Sequence, residues 1–568
     1  MGSDGRFDTV IVGGSVFDGL GAPPIRADIG IVDDRIVAVG DLSAASAGRR
    51  IDATGKSVAP GFIDIHTHSD ISVLFNPAME SMTSQGVTTQ VVGNCSLSLG
   101  LATDDDAFAF EKRWLGTHGA RITWRSMDGH LRRVADEGVA TNYVMLAGQG
   151  TIRKRVMGFA NRQPSPDEMA QMQALLAQAL EEGAWGVSTG LEYTPSGYAS
   201  VEELAALSSV VARYGGFYAT HLRNEGDRLL ESVAEAIEVG ERAGVPVQLS
   251  HHKAEGRQNW GKVHRTLAMV EAARERGVDV QMDQYPYTAF QTAMSVQFLP
   301  PWANEGDTEA LLARLTDKER RAEVVADIRT NHADWDDAGP GSPWERVEIG
   351  SCRSDRSLQG RTIAEIARER GQNPIEVVLD IIVSERNFVS AVNFAIDEED
   401  VLFVMRARHT MIGSDAVGVA PRGRMAEERV HPRCYGTFPR ILGRYVRERG
   451  SLAEEEAIYK MTGLPAARLG LRDRGHIAPG CFADIVVYDP STVIDRSSFR
   501  MPHRFSMGIE VVLINGRVAW EGGASTGVLA GRALRRDAPG RPTTSVRADG
   551  ATPPGGTTSD PPAERTGS

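Results

Sequence analysis

Short β-rich runs alternate with longer helical segments between residues 61 and 415, and this alternation constrains the fold most. We predict strands at 61–68, 87–94, 142–146, 186–189, 217–221, 245–250, 278–284 and 411–415. Helices rich in Ala, Glu and Arg are predicted at 165–182, 200–214, 228–243, 263–276, 363–370 and 374–383. Eight strands with intervening helices predict an α/β fold of the (β/α)₈ barrel type rather than an open sheet.

The connection between the seventh and eighth predicted strands is much longer than one helix requires. Residues from about 290 to 350 are rich in Pro, Trp and charge. We predict that they form an insertion, a small lobe over the barrel, and that the helices after it return the chain to the barrel.

Both ends of the chain are also β-rich. The C-terminal strand pattern at 511–520 contains an Asn-Gly pair, which is a hairpin signal. A few short strands are marginal alone. We therefore predict that 1–58 and 474–535 build one small β-sandwich beside a barrel at 59–473. Residues 536–568 have almost no apolar side chains, so we predict a disordered tail.

Composition excludes several classes of function. A formal net charge of −13 without a basic stripe argues against nucleic-acid binding. No apolar run reaches the roughly 18 residues of a membrane span. The start of the chain lacks the apolar core of a secretory signal, so a cytoplasmic location is expected. The 4 cysteines are too far apart for a disulfide framework or a CxxC zinc motif. Oligomeric state is left open.

Candidate metal ligands stand at the ends of several predicted strands, where barrel enzymes carry their chemistry. In chain order they are His66, His68, Cys95, His221, His251 and Asp415. A single histidine inside a barrel is often a hydrogen-bonded structural residue. Recurrence at successive strand ends predicts a metal centre instead.

The sixth strand ends in two adjacent histidines. Side chains alternate along a strand, so His251 shares a face with Val247 and Leu249 while His252 points to the other face. We therefore predict His251 as the ligand and His252 as a structural residue.

Thiolate, imidazole and carboxylate ligands together favour zinc. Six candidates exceed one tetrahedral site, which leaves room for a second, weaker metal position. Zinc lowers the pKa of a bound water to about 7 and polarises a carbonyl. Asp415 is the candidate catalytic residue, because one carboxylate can take the proton of that water and pass it to a leaving group. These features predict a metal-dependent hydrolase.

Several motifs resemble the N-acyl-D-amino-acid deacylase (D-aminoacylase) family of the amidohydrolase superfamily. They are GFIDIHTHSD at 61–70, GNC at 93–95, STGLEY at 188–193, THLR at 220–223, SHHK at 250–253, YPY at 285–287, GSD at 413–415, HPRCYGTFPR at 431–440 and PGCFAD at 479–484. The HxH pair is specific only for the superfamily, whereas the cysteine and the 431–440 segment are specific for the family. The resemblance extends from residue 8 to about 535.

The resemblance implies a barrel with a small β-sandwich, and hydrolysis of N-acyl-D-amino acids to a carboxylate and a D-amino acid. It implies a catalytic Asp415 and a tight zinc on Cys95, His221 and His251, with a weaker position on His66, His68 and Asp415. Many superfamily members bridge two metals with a carbamylated lysine. No lysine stands at the fourth strand end here, at 186–190, and Cys95 is the natural substitute.

The resemblance also implies residues that hold the substrate. Lys253 suits the α-carboxylate, Tyr193 and Tyr285 match hydrogen-bond donors, and Arg433 suits a bidentate carboxylate contact. Arg433 can instead pair with an internal acid, and the Tyr285 segment can be only a turn. Gln291 stands where the family has small hydroxyl residues, so the substrate pocket differs there.

Two alternatives stay open at this stage. One is another amidohydrolase activity, such as a cyclic amidase or a dipeptidase acting on a D-residue. The other is a metal-binding scaffold without turnover, against which the retention of Asp415 argues. The preference for the D configuration rests on the resemblance alone.

Overall fold

The computed structural model describes residues 6–536. Its centre is a barrel whose parallel strands are Phe62–Asp64, Val87–Val92, Asn142–Met145 with its continuation Ala147–Gly148, Gly186–Gly190, Phe217–His221, Val247–Leu249, Val280–Gln284 and Thr410–Ile412. Successive strands pair in chain order. Backbone hydrogen bonds from His68 to Ala416 and from Asp415 to His66 join the end of the eighth strand to the first. The predicted fold class is confirmed.

Helices follow the barrel strands because their sequences carry apolar stripes and clear end signals. Ser165 caps the helix Pro166–Glu181 through a reciprocal contact with Glu168, and Gly244 ends Leu229–Ala243 in the left-handed conformation. Outside the lobe the helices are Glu80–Thr83, Ala109–Thr117, Met127–Glu137, Gln149–Met157, Pro166–Glu181, Val201–Arg213, Leu229–Ala243, Lys262–Glu275, Glu398–Arg406, Arg433–Arg440, the π-helix Ile441–Glu448, Glu454–Met461 and Gly463–Leu469, with 3₁₀ turns at Ser196–Tyr198, Arg257–Asn259 and Gly423–Glu427.

Strands from both chain ends share one nine-stranded sheet, which we call the terminal β domain. The central strand Ser57–Pro60 pairs with Phe7–Val16 on one side and Ile485–Tyr488 on the other. The Asn-Gly hairpin forms as predicted, with positive φ at Asn515 and Gly516. The other strands are Ile25–Val32, Arg35–Gly40, Ala47–Asp52, Ile509–Ile514, Arg517–Glu521 and Ala524–Ser525.

The C-terminal segment returns to the barrel after this sheet. Ala533–Leu534 pairs in parallel with the barrel strand Asn142–Met145, and the Leu534 carbonyl accepts a hydrogen bond from Trp185 Nε1 at 3.0 Å. The disordered tail predicted from 536 onward lies outside the described residues, apart from Arg536 itself.

The insertion between the seventh and eighth barrel strands forms a lobe with its own core. Its three-stranded antiparallel sheet consists of Phe290–Ala293, Ser390–Asn393 and Val347–Ile349. Its helices are Met294–Phe298, Thr308–Thr316, Lys318–Asn331, Ile363–Arg370 and Pro374–Ser384, with 3₁₀ turns at Pro301–Asn304, Ala333–Asp336, Pro343–Arg346 and Arg356–Leu358.

The lobe is longer than the sequence analysis expects. The helices Ile363–Arg370 and Pro374–Ser384 pack in the same apolar core as Trp344 instead of returning the chain to the barrel. Glu398–Arg406 makes that return, in contact with the eighth strand. Helical periodicity shows that a helix has an apolar face but does not show which core receives it.

Among residues 6–536, no helix combines the length and the apolar character that crossing a membrane requires.

Candidate metal centre

The thiol of Cys95 lies among three imidazoles at the C-terminal end of the barrel. Its Sγ is 3.4 Å from His66 Nε2, 3.9 Å from His221 Nδ1 and 3.6 Å from His251 Nε2. The nitrogens of His221 and His251 are 2.9 Å apart. All four residues are buried. These side chains come from the first, second, fifth and sixth barrel strands and meet only because the barrel brings those strand ends together.

Asp415 closes the other side of this cluster. One carboxylate oxygen, Oδ1, lies 3.1 Å from His68 Nε2 and 3.5 Å from His66 Nε2. The second oxygen, Oδ2, lies 2.8 Å from Nη1 of Arg433. The carboxylate therefore joins the two first-strand histidines to a buried guanidinium.

Three of the converging residues adopt backbone conformations that are rare for side chains other than glycine. The φ angles are 50° at Cys95, 35° at His251 and 52° at Asp415. A left-handed conformation costs such residues free energy. Residues that adopt it are concentrated at functional sites. It also turns His251 inward, since the sixth strand already ends at Leu249. His252 instead contacts Thr266 on the next helix at 2.7 Å.

The end of the fourth strand lacks a side chain for a structural reason. A Cβ on Gly190 would lie 2.5 Å from the carbonyl oxygen of Cys95. From the same strand, Ser188 accepts a hydrogen bond from Ser96 N and donates one to the Gly93 carbonyl. The fourth strand thus supports the turn that carries Cys95 and leaves no room for a side chain at position 190.

The donor set fits a metal ion. Ligand atoms of Cys95, His221 and His251 lie within 4.8 Å of one another, as do those of His66, His251 and Asp415. One thiol, imidazole nitrogens and one carboxylate oxygen are the donors that zinc prefers. The buried cluster therefore has the chemistry and convergence of a metal centre.

The electrostatics favour the ionised forms of Cys95 and Asp415. Burial by itself raises the pKa of the Cys95 thiol, but the charge of His66 and a hydrogen bond from His221 hold that pKa well below its usual value. Burial likewise opposes ionisation of Asp415, yet the charge of Arg433 keeps its pKa well below the ordinary range. Ionised thiolate and carboxylate are the forms that bind metal.

Three acids that the sequence analysis did not single out stand behind the histidines. In each pair one carboxylate oxygen faces one ring nitrogen: Asp283 Oδ1 and His66 Nδ1 at 3.3 Å, Glu192 Oε2 and His221 Nε2 at 3.1 Å, Glu225 Oε1 and His251 Nδ1 at 3.1 Å. All three acids stand in a barrel strand or within four residues of its end, and that position was the available signal.

Four of the predicted substrate-binding residues surround this cluster. The Tyr193 ring meets His221 edge-on with centroids 4.9 Å apart, and its hydroxyl lies 3.0 Å from Thr292 Oγ1. Arg433 lies 5.0 Å from the centroid of the Tyr285 ring. Among the described residues, the buried Tyr285 hydroxyl has no hydrogen-bond partner. Lys253 pairs with Glu225.

Gln291 is placed differently from the other four. Its amide nitrogen donates to Ser390 Oγ at 2.8 Å and to the Arg429 carbonyl at 3.2 Å. These contacts tie the first lobe strand to its neighbours. The amide nitrogen therefore links the lobe sheet to the segment that follows the eighth barrel strand.

Comparison with known proteins places the chain in a family. A family model described as "Amidohydrolase family" matches residues 49–520. The chain belongs to this family.

Curated amidohydrolase relatives match almost the whole chain. A D-aminoacylase of Alcaligenes xylosoxydans xylosoxydans is 38% identical over 94% of this chain and 98% of its own length. An N-acyl-D-glutamate deacylase of the same organism is 39% identical over 94% of this chain and 97% of its own. The organism's N-acyl-D-aspartate deacylase is 33% identical over 91% of this chain and 92% of its own.

Solved structures agree with the fold described above. N-acyl-D-glutamate deacylase from Bordetella bronchiseptica, in complex with zinc and a phosphonate mimic of the tetrahedral intermediate, is 33% identical with a TM-score of 0.78. A D-aminoacylase structure is 38% identical with a TM-score of 0.77. In both comparisons the match covers 93% of this chain and 100% of the other.

Proposed function

We propose that this amidohydrolase is a zinc-dependent enzyme that hydrolyses the amide of N-acyl-D-amino acids to a carboxylate and a free D-amino acid. The observation that supports this most is the buried Cys95 cluster beside an ionised Asp415. Relatives named for this reaction are 33–39% identical over nearly the full chain.

Two sets of residues would hold the metal. Cys95, His221 and His251 form the tight position, and His66, His68 and Asp415 form a weaker one. When bound, zinc polarises the acyl carbonyl and lowers the pKa of water to about 7. The burial of the cluster excludes bulk water and strengthens its electrostatic interactions.

Asp415 is the proton carrier of the reaction. Its Oδ1 faces the histidine cluster, and Arg433 holds Oδ2 at 2.8 Å, so the carboxylate has a fixed direction. Asp415 accepts the proton of the attacking water and delivers it to the nitrogen of the departing amine. The C–N bond breaks as its nitrogen is protonated, so the amino acid departs as a neutral amine. This proton transfer is general acid–base catalysis.

The remaining residues recognise the amino-acid part of the substrate. Lys253 and Tyr285 bind its α-carboxylate, with the Tyr285 hydroxyl buried and available. Tyr193 adds a hydrogen-bond donor, and Arg433 is a second charged partner for the carboxylate. Gln291 borders the pocket from the lobe, and its amide nitrogen is already bonded to Ser390 and Arg429. We further propose no nucleic-acid partner, on the net charge of −13.

Hydrolysis of matched N-acetyl-D- and N-acetyl-L-amino acids tests this function. The panel includes Glu, Asp and Leu derivatives, since relatives named for different substrates match about equally. Zinc content is measured on the same sample. D-selective turnover supports the proposal, whereas zinc binding without turnover of any N-acyl amino acid contradicts it. Hydrolysis of a cyclic amide instead would identify a different amidohydrolase activity.

A further inference from the structure

Glu225 contacts two residues with different expected roles. It lies four residues after His221, on the segment that follows the fifth barrel strand. Its Oε1 is 3.1 Å from His251 Nδ1, and its Oε2 forms an ion pair with Lys253. The side chains of Glu225, His251 and Lys253 are only 3%, 3% and 5% exposed, so solvent does not screen these contacts.

We propose that Glu225 is a positioning residue that orients His251 toward the metal and Lys253 toward the substrate carboxylate. The inference about Lys253 rests on the proposed function, whereas the inference about His251 rests only on the metal cluster. One carboxylate would thus set both the metal affinity and the substrate affinity of the site.

The first contact selects the tautomer of His251. Its Nε2 faces Cys95 Sγ at 3.6 Å and His221 Nδ1 at 2.9 Å, so Nε2 is the nitrogen on the metal side. The opposite nitrogen, Nδ1, lies 3.1 Å from Glu225 Oε1 and 3.0 Å from Lys253 Nζ. An ammonium cannot accept a hydrogen bond, so with Glu225 as its acceptor Nδ1 carries the proton. A neutral imidazole protonated at Nδ1 leaves the Nε2 lone pair for a metal, and such outer contacts typically change metal affinity about 10- to 100-fold.

The second contact places a buried cation. The Lys253 ammonium has three N–H donors. One is directed to Glu225 Oε2 and one to the His251 carbonyl at 3.2 Å. The ammonium also lies 3.0 Å from His251 Nδ1. When Nδ1 is protonated toward Glu225 it cannot accept from Lys253, so the third donor is available to a substrate carboxylate. Without Glu225, Lys253 would be a buried charge without a counterion beside the metal site, which is unfavourable.

The backbone holds Glu225 in this place. Its carbonyl oxygen accepts a hydrogen bond from Glu255 N at 2.9 Å. The loop after the fifth strand is therefore tied to the loop after the sixth, which carries His251 and Lys253. Asp283 also contacts His251, where its Oδ1 accepts a hydrogen bond from the backbone N at 2.8 Å, whereas Glu192 faces His221.

Replacing Glu225 by Gln separates the two effects. The Gln carbonyl can still accept from His251 Nδ1, but its amide presents N–H groups to the Lys253 ammonium. We expect zinc affinity, measured by chelator competition, to stay within about 3-fold of wild type, because the outer contact to the histidine is kept. KM for the best N-acyl amino acid should rise by roughly 10-fold or more with a smaller change in kcat, because the cation loses its charged hydrogen-bond partner.

Replacing Glu225 by Ala removes both contacts. Zinc affinity should then fall about 10- to 100-fold. Glu231→Gln is the matched control, since Glu231 is an exposed acid on the following helix. If Glu225→Ala does not fold, Glu225→Gln and a double variant with Lys253→Met decide the question. The KM effects of that pair should not be additive, as expected for residues in direct contact.

The proposal is overturned if Glu225→Ala binds zinc as wild type does, or if Glu225→Gln leaves KM unchanged. Additive KM effects of Glu225→Gln and Lys253→Met would also overturn it. If the wild-type enzyme hydrolyses no N-acyl amino acid, the proposed function fails while the zinc measurement still tests the role of Glu225 toward His251.

Discussion

The two halves of the candidate metal centre differ in what surrounds their anionic side chain. We call Cys95, His221 and His251 the thiolate half, and His66, His68 and Asp415 the carboxylate half. In the thiolate half, all three residues are buried and the Cys95 thiol lies among three imidazoles. In the carboxylate half, the His68 side chain is 21% exposed and Asp415 shares one oxygen with Arg433.

This difference indicates a division of labour. Three imidazoles converge on the Cys95 thiolate, so its charge is directed into the cluster. The charge of Asp415 is divided between the cluster and a guanidinium, which suits a group that must release and accept protons. Under the proposed function, the thiolate half would retain the metal and Asp415 of the carboxylate half would exchange protons.

The strongest test of this comparison is Cys95→Ala. We expect loss of tightly bound zinc and a fall in kcat/KM of more than about 10⁴-fold, because water would lose the metal that lowers its pKa from 15.7 to about 7. Metal analysis and kinetics on one sample measure both. Cys481→Ala, which removes a buried thiol of the terminal β domain, is the control. Full zinc retention in Cys95→Ala would show that the carboxylate half, and not the thiolate half, holds the tight zinc.

Asp415→Asn is expected to have the next largest effect. It should lower kcat by about 10²- to 10⁴-fold, the range for loss of a general acid–base group. Tight zinc should remain, because the thiolate half is intact. A variant that loses zinc as completely as Cys95→Ala would show that the halves do not divide retention and proton transfer.

Arg433→Lys tests whether the guanidinium directs Asp415. We expect kcat/KM to fall about 10- to 100-fold, because a charged hydrogen bond of about 1.5–3 kcal/mol is weakened. Arg440→Lys is the matched control, since Arg440 lies on the same helix and contacts Asp495 instead. Equal effects of the two substitutions would indicate a general loss of helix packing.

Thr292→Val should have the smallest effect and concerns the thiolate half. Its hydroxyl lies 3.0 Å from that of Tyr193, whose ring meets His221. We expect KM to rise by about 2- to 10-fold, as for a lost hydrogen bond of about 0.5–1.5 kcal/mol. Thr292→Ser should restore it, and Thr316→Val in a lobe helix should have no effect. An unchanged KM in Thr292→Val would show that the contact between the lobe and Tyr193 does not contribute to substrate binding.

Much of the fold, and the convergence of the candidate ligands, could be predicted locally. Residues that follow barrel strands must meet at one end of the barrel, so the position of His66, Cys95 and His221 in the sequence was enough. The extent of the lobe was not predictable in this way. The helix Pro374–Ser384 has the same apolar periodicity whether it covers the barrel or the lobe core.

The supporting acids show a second limit of local reasoning. Asp283 and His66 are far apart in the sequence, and no spacing rule connects them. The alternative partner for Arg433 was recognised as an internal acid, but its identity as Asp415 required the structure. Pairings of this kind depend on which strand ends become neighbours.

The sequence by itself determined the order of strands and helices, the joining of both chain ends in one β domain, and the donors available to a metal. Periodicity and strand-end position are local properties, so they can be recognised in the sequence without a structure. Only the tertiary structure decided that Glu225 joins His251 to Lys253 and that Arg433 holds Asp415. Those contacts arise because the closed barrel and the left-handed backbone at Cys95, His251 and Asp415 bring distant side chains within hydrogen-bonding distance.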